Sequence, residues 1–128
     1  MILTSILYTI LISLAAVFKA VSDLCADHYS ASIFTKYNPE FWDKSISWKN
    51  KWIGGDKANG HKKGLRYWDP LTDAWHISNS CIIACFIAAG IFYPHYPISY
   101  SPIIVFIVSG VLFTVVFNSF YNHLFKKK

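Results

Sequence analysis

Two stretches of this chain carry no Asp, Glu, Lys or Arg: residues 1–18 and residues 74–125. A soluble chain of 128 residues would scatter charge over its whole surface. Here the charge lies between Lys19 and Asp73 and in the last three lysines. The two charge-free stretches therefore read as segments whose solvent is lipid. A bilayer core of about 30 Å takes about 20 apolar residues in a helix. Residues 2–21, 74–93 and 103–121 each provide such a run. Between the last two, residues 93–102 hold three prolines and three tyrosines. Proline stops a helix, and tyrosine suits the membrane–water interface. The expected fold is an all-α membrane protein: three transmembrane helices, with an interfacial Trp-rich cytoplasmic segment between the first and second.

The expected organisation is one membrane domain. Residues 1–34 form the first transmembrane helix and its cytoplasmic extension, and residues 35–72 an interfacial loop. The second helix spans residues 73–93, an outer hairpin turn residues 94–102, and the third helix residues 103–125. Residues 126–128 are a basic tail. No basic residue precedes the first apolar run, and no convincing small-x-small site follows it, so the first segment is expected to be a retained helix rather than a cleaved leader.

Charge sets the expected orientation. The net charge is +5, yet residues 19–73 hold nine basic and seven acidic residues and are nearly balanced. No basic stripe is present to track nucleic-acid phosphates, so no nucleic-acid partner is expected. Cytoplasmic loops carry the excess of Lys and Arg. The lysine tail and the central segment should thus share the cytoplasmic side, with the N-terminus outside.

The central segment is polar but holds Phe41, Trp42, Trp48, Trp52, Tyr67 and Trp68. A disordered linker is poor in aromatics. Residues 40–53 are expected to form a short helix lying on the bilayer, with aromatics toward lipid and lysines outward. Residues 54–60 follow as a flexible glycine-containing loop. It lacks the Gly-Lys-Ser/Thr ending and the strand–loop–helix setting of a phosphate-binding loop. Thr72 or Asp73 is expected to cap the second helix. The three cysteines, Cys25, Cys81 and Cys85, have neither disulfide-scaffold nor zinc-ribbon spacing and read as packing residues.

Each span offers a stripe of small or weakly polar residues for helix packing. The stripes are Ser5, Thr9, Ser13 and Ala16; then Cys81, Cys85 and Ala88; then Gly110, Thr114, Asn118 and Asn122. The stronger polar groups gather at the cytoplasmic ends. Lys19, Asp23 and Asp27 are spaced by fours, and His28 follows. Asp73, His76 and Ser80 share one face, and His123 follows Asn122. Asp23, Asp27, His28, Asp73 and His76, with His123 as an outer member, are the candidate site. Asp and His together can bind a divalent metal such as zinc or iron. A metal-bound water can attack a lipid ester or phosphoester. Without metal, an Asp–His pair can act as general acid and base or relay protons. Against these stands the plain reading, in which the same residues cap helices and form ion pairs such as Lys19 with Asp23.

Asn38-Pro39-Glu40-Phe41-Trp42, Ser47-Trp48-Lys49-Asn50-Lys51 and Leu71-Thr72-Asp73-Ala74-Trp75-His76 resemble an uncharacterised family of small bacterial membrane proteins with NPxxW…SWxNK…LTDAWH strings. The resemblance covers residues 19–76. It implies a bacterial inner-membrane protein and places Asp73 and His76 within a motif; it implies no activity.

Three functions follow as expectations. One is a membrane-embedded enzyme or binding protein acting on a lipid or amphiphile at the Asp/His cluster. The second is a non-enzymatic accessory or scaffold subunit. The third is a small ion or proton channel. Three spans bury little surface among themselves, so a homo-oligomer or a partner membrane protein is expected beside the membrane lipids.

Overall fold

The computed structural model describes residues 2–62, 68, 71–93 and 102–127. The described residues are helical, with isolated bridges and no strand. Among the described residues, three helices are long and apolar enough to cross a membrane. They are α1 (Ile2–Asp27), α4 (Ala74–Phe92) and α5 (Pro102–Asn118), the last continued by a π-helical turn over Ser119–Phe125. Between α1 and α4 lie two single-turn helices, α2 (Pro39–Trp42) and α3 (Lys44–Ser47), among several 3₁₀ turns. The fold is that of an α-helical protein with three candidate membrane spans. Of the outer hairpin turn expected over residues 94–102, residues 94–101 lie outside the described residues, and Pro102 begins α5.

Contacts along α1 set the helix directions. Near its start, the Tyr8 hydroxyl is 3.0 Å from the Ser109 hydroxyl of α5, and its ring lies 6.3 Å from that of Tyr93, which follows α4. Further along, the Asn79 amide of α4 donates to Ser22. Just past α1, the His28 ring meets Tyr121 edge-on at 6.1 Å. So α1 and α5 run parallel and α4 runs against both.

The packing stripe of α1 differs from the expected one. Its buried residues are Ile12, Ala15, Ala16, Ala20, Ser22, Leu24 and Cys25. Of the expected set only Ala16 is among them. The Thr9 and Ser13 hydroxyls donate to the Ser5 and Thr9 carbonyls of their own helix, at 2.8 and 2.9 Å. A hydroxyl satisfied four residues back needs no neighbouring helix. Alanine carries no such group and lets two backbones approach closely. On α4, Cys85 is buried as expected, together with Ala74, Ser78 and Ala89. On α5 and the π-helical turn after it, Gly110, Thr114, Asn118 and Asn122 are exposed, and Val105 is the residue of α5 that is buried. Thr114 and Asn118 donate to the carbonyls four residues back, and Asn122 donates to the Asn118 side chain.

The central segment is not one surface helix. Asn38 accepts from the Glu40 amide and starts α2. Asp43 then accepts from the Ser45 amide and hydroxyl, at 2.9 and 2.7 Å, and starts α3. An Asx cap of this kind draws the backbone out of the helix it interrupts. The glycine loop is also more ordered than expected. The Ile53 amide donates to Gly60, and Asp56 accepts from the Ala58 amide. Gly54, Gly55 and Gly60 take φ of 64°, 78° and 79°, a region that other residues occupy only with strain.

Aromatic packing fastens this segment to the helix ends. Phe34 stacks on Trp42 at 4.5 Å and meets Phe125 at 5.3 Å. Leu24, Cys25, Phe34 and Ala74 form a buried cluster beneath them. The basic tail returns to the same place: the Lys127 amide donates to the Ala31 carbonyl at 2.7 Å, and its side chain to the Ser30 carbonyl.

Candidate functional site

Asp73 organises the start of α4. Its backbone is extended (φ −154°, ψ 167°), as an N-cap requires, and Oδ1 accepts from the His76 amide at 2.8 Å. The second oxygen, Oδ2, lies 2.7 Å from His76 Nδ1. The spacing of three residues brings both His76 groups over the cap. Asp73 is 1% exposed. Burying a carboxylate costs several kcal/mol unless it is hydrogen-bonded or paired; here both of its oxygens are engaged.

His76 itself is half-buried, and among the described residues its Nε2 has no hydrogen-bond partner. A carboxylate at Nδ1 fixes the proton there and leaves the Nε2 lone pair outward. Such a pair can act as a positioned base, with the carboxylate orienting the ring.

The surroundings are aromatic and basic. The Trp75 ring stands edge-on to His76 at 4.8 Å. On its face sits the Lys44 ammonium, 3.9 Å from the ring centre, a cation–π contact. One turn into α4, Asn79 donates to the Trp75 carbonyl at 2.8 Å and to the Ser22 hydroxyl at 3.0 Å, joining α4 to α1. Asp43, beyond capping α3, acts on Tyr29. Burial pushes the Tyr29 phenol above its usual range, and the Asp43 carboxylate reinforces the shift.

The other candidates are placed apart from this pair. Asp23 forms an ion pair with Lys19, as its spacing suggests. Asp27 is the last residue of α1 and is exposed. His28 is exposed and meets Tyr121. His123 is exposed on the π-helical turn. Among the described residues, no three His, Cys, Asp or Glu side chains lie close enough to share one metal ion. The expected centre of Asp23, Asp27, His28, Asp73, His76 and His123 for zinc or iron is therefore not assembled. The reason is local: Asp23 is paired within α1, Asp73 is turned to its own helix, and Asp27, His28 and His123 face outward.

Lys44, Asn79 and Asp43 were not visible as site neighbours in the sequence. Asp43 carried a signal, since Asp two residues before Ser is an Asx-cap pattern. Asn79, an amide within an apolar run, carried another. The contact of Lys44 with Trp75 spans thirty residues and had none.

The fold defines a multi-pass α-helical protein with membrane-spanning helices. No known family matches the chain, and no characterised protein or solved structure is similar to it.

Proposed function

We propose that this is an inner-membrane protein in which His76, held by Asp73, acts as a general base on a lipid or other amphiphile at the cytoplasmic end of the bundle. The observation that carries it is the Oδ2–Nδ1 contact of 2.7 Å with the buried carboxylate behind it and Nε2 free of partners among the described residues. Lys44 beside Trp75 supplies a cation near the base, suited to an anionic head group. The reading asks for no metal. Purified protein in vesicles of phosphatidylethanolamine and phosphatidylglycerol tests it, with lipid esters and phosphoesters followed by mass spectrometry. Turnover should fall by about 10²–10⁴-fold in His76→Ala, the usual contribution of a positioned base. No turnover by the unaltered protein, or equal turnover by the variant, would sink the proposal.

The orientation belongs to the same proposal, with the N-terminus outside and the C-terminus in the cytoplasm. The Lys127 contacts with Ser30 and Ala31 support it, because they hold the basic tail beside the basic central segment. A reporter fused to the C-terminus should be active only in the cytoplasm.

A second reading is favoured by α5, which buries Val105 and exposes most of its length. In that reading the chain is an accessory or scaffold subunit, and α5 faces a partner or a second copy. Native mass spectrometry from mild detergent separates the two: a complex supports the second reading, a monomer opposes it.

A further inference from the structure

We infer that the half of the bundle far from Asp73 holds a binding cleft for a single acyl chain of a membrane lipid. This inference does not rest on the acid–base reading of His76. Helices α4 and α5 each pack on α1 but hardly on one another. A wedge therefore opens between them, with Tyr8 and Ile12 of α1 as its floor, and its volume is about 410 Å³. Phe86 lines it from α4, and Phe106 and Phe113 from α5. The rings of Phe86 and Phe113 stack at 6.2 Å.

Gly110 helps to open the cleft. It lines the cavity, and a side chain built there would meet nothing within 4 Å. The space beside it is thus not filled by any described part of the chain.

Size and chemistry select the occupant. A helix with its side chains is about 10–12 Å across and rises 5.4 Å per turn, so one turn fills roughly 400–600 Å³. The cleft encloses at most about one turn of a whole helix. A slender chain fits it, and the volume lies within the roughly 300–1,000 Å³ of ligand pockets. The lining is aromatic and aliphatic apart from hydroxyls. The Thr114 hydroxyl is turned to the Gly110 carbonyl at 2.8 Å. The Tyr8 and Ser109 hydroxyls, 3.0 Å apart, form the polar spot. Tyr8 stands six residues into α1, about 9 Å from its first residue. With the span beginning at residue 2, that places the polar spot inside a hydrocarbon layer about 30 Å thick.

Palmitic acid bearing a terminal diazirine provides the probe. The full chain is reconstituted in vesicles of phosphatidylethanolamine and phosphatidylglycerol containing this fatty acid, irradiated, and mapped by mass spectrometry. Labels should concentrate on the cleft residues of α4 and α5. Gly110→Phe, which fills the space, should lower that labelling about tenfold, equivalent to ~1.4 kcal/mol of binding. Thr114→Phe should do the same from the next turn, and serves if Gly110→Phe does not fold. Gly90→Phe is the control, because Gly90 also has open space around it but lies outside the cleft; its labelling should match the unaltered protein. Labels spread evenly over the three helices, or unchanged by both filling variants, would overturn the inference. So would cross-links joining two copies through the cleft residues.

Discussion

At the Asp73 end, the chain closes its helices with mixed chemistry. A buried carboxylate caps α4, Asn79 reaches Ser22, and Phe34 sits between Trp42 and Phe125. At the Tyr8 end, the Tyr8 and Ser109 hydroxyls join α1 to α5, and a cleft stands open between α4 and α5. The difference follows from solvent. In hydrocarbon, apolar side chains gain nothing by leaving lipid for each other, so association depends on packing and hydrogen bonds. At a wet boundary, aromatic burial contributes as it does in a soluble core. The chain places its aromatic cluster and its costliest polar group where both forces act. The proposed base sits at the tight end, and the proposed lipid cleft at the loose one.

Four substitutions test that contrast, each measured by reversible unfolding in mixed micelles followed by circular dichroism. Phe34→Ala should be the most damaging, at about 3–5 kcal/mol, since it empties the site between Trp42 and Phe125. Asp73→Ala should cost about 1–3 kcal/mol, from the lost cap and the unpartnered groups left behind. Asp73→Ser should recover part of that, because serine also caps, while His76 stays without its carboxylate. Tyr8→Phe should cost least, about 0.6 kcal/mol, the mean for a hydrogen bond between membrane helices. If Tyr8→Phe proved as costly as Asp73→Ala, the two ends would not differ as described.

Much of the fold was legible in the sequence because lipid imposes a strong constraint. Segments without charge must be helical to satisfy their backbones, and α1, α4 and α5 occupy the expected stretches. Asp73 was legible as a cap because it precedes an apolar run. The central segment was not, since Asp43 can sit within a surface helix or end it, and only its hydrogen bonds to Ser45 decide. The α1 stripe misled because Thr9 and Ser13 look like interhelical groups, yet their hydroxyls are satisfied within the helix.

The candidate site was legible in one part. A spacing of three residues already brings Asp73 and His76 onto one face of a helix. Their meeting with Asp23, Asp27, His28 and His123 required particular rotations of three helices, which periodicity does not specify. The cleft was not legible, because it is made by the divergence of α4 from α5 rather than by any one residue, and Gly110 read as a packing residue.

The central claim is that Asp73 holds His76 with its proton on Nδ1 and its Nε2 lone pair free. Nitrogen-15 NMR of histidine-labelled protein in bilayers, with His76→Gln to assign the signal, measures this directly. A protonated Nδ1 and a bare Nε2 are expected when His76 is neutral, with that preference lost in Asp73→Ser. A neutral His76 carrying its proton on Nε2, or a tautomer unaffected by Asp73→Ser, would contradict it.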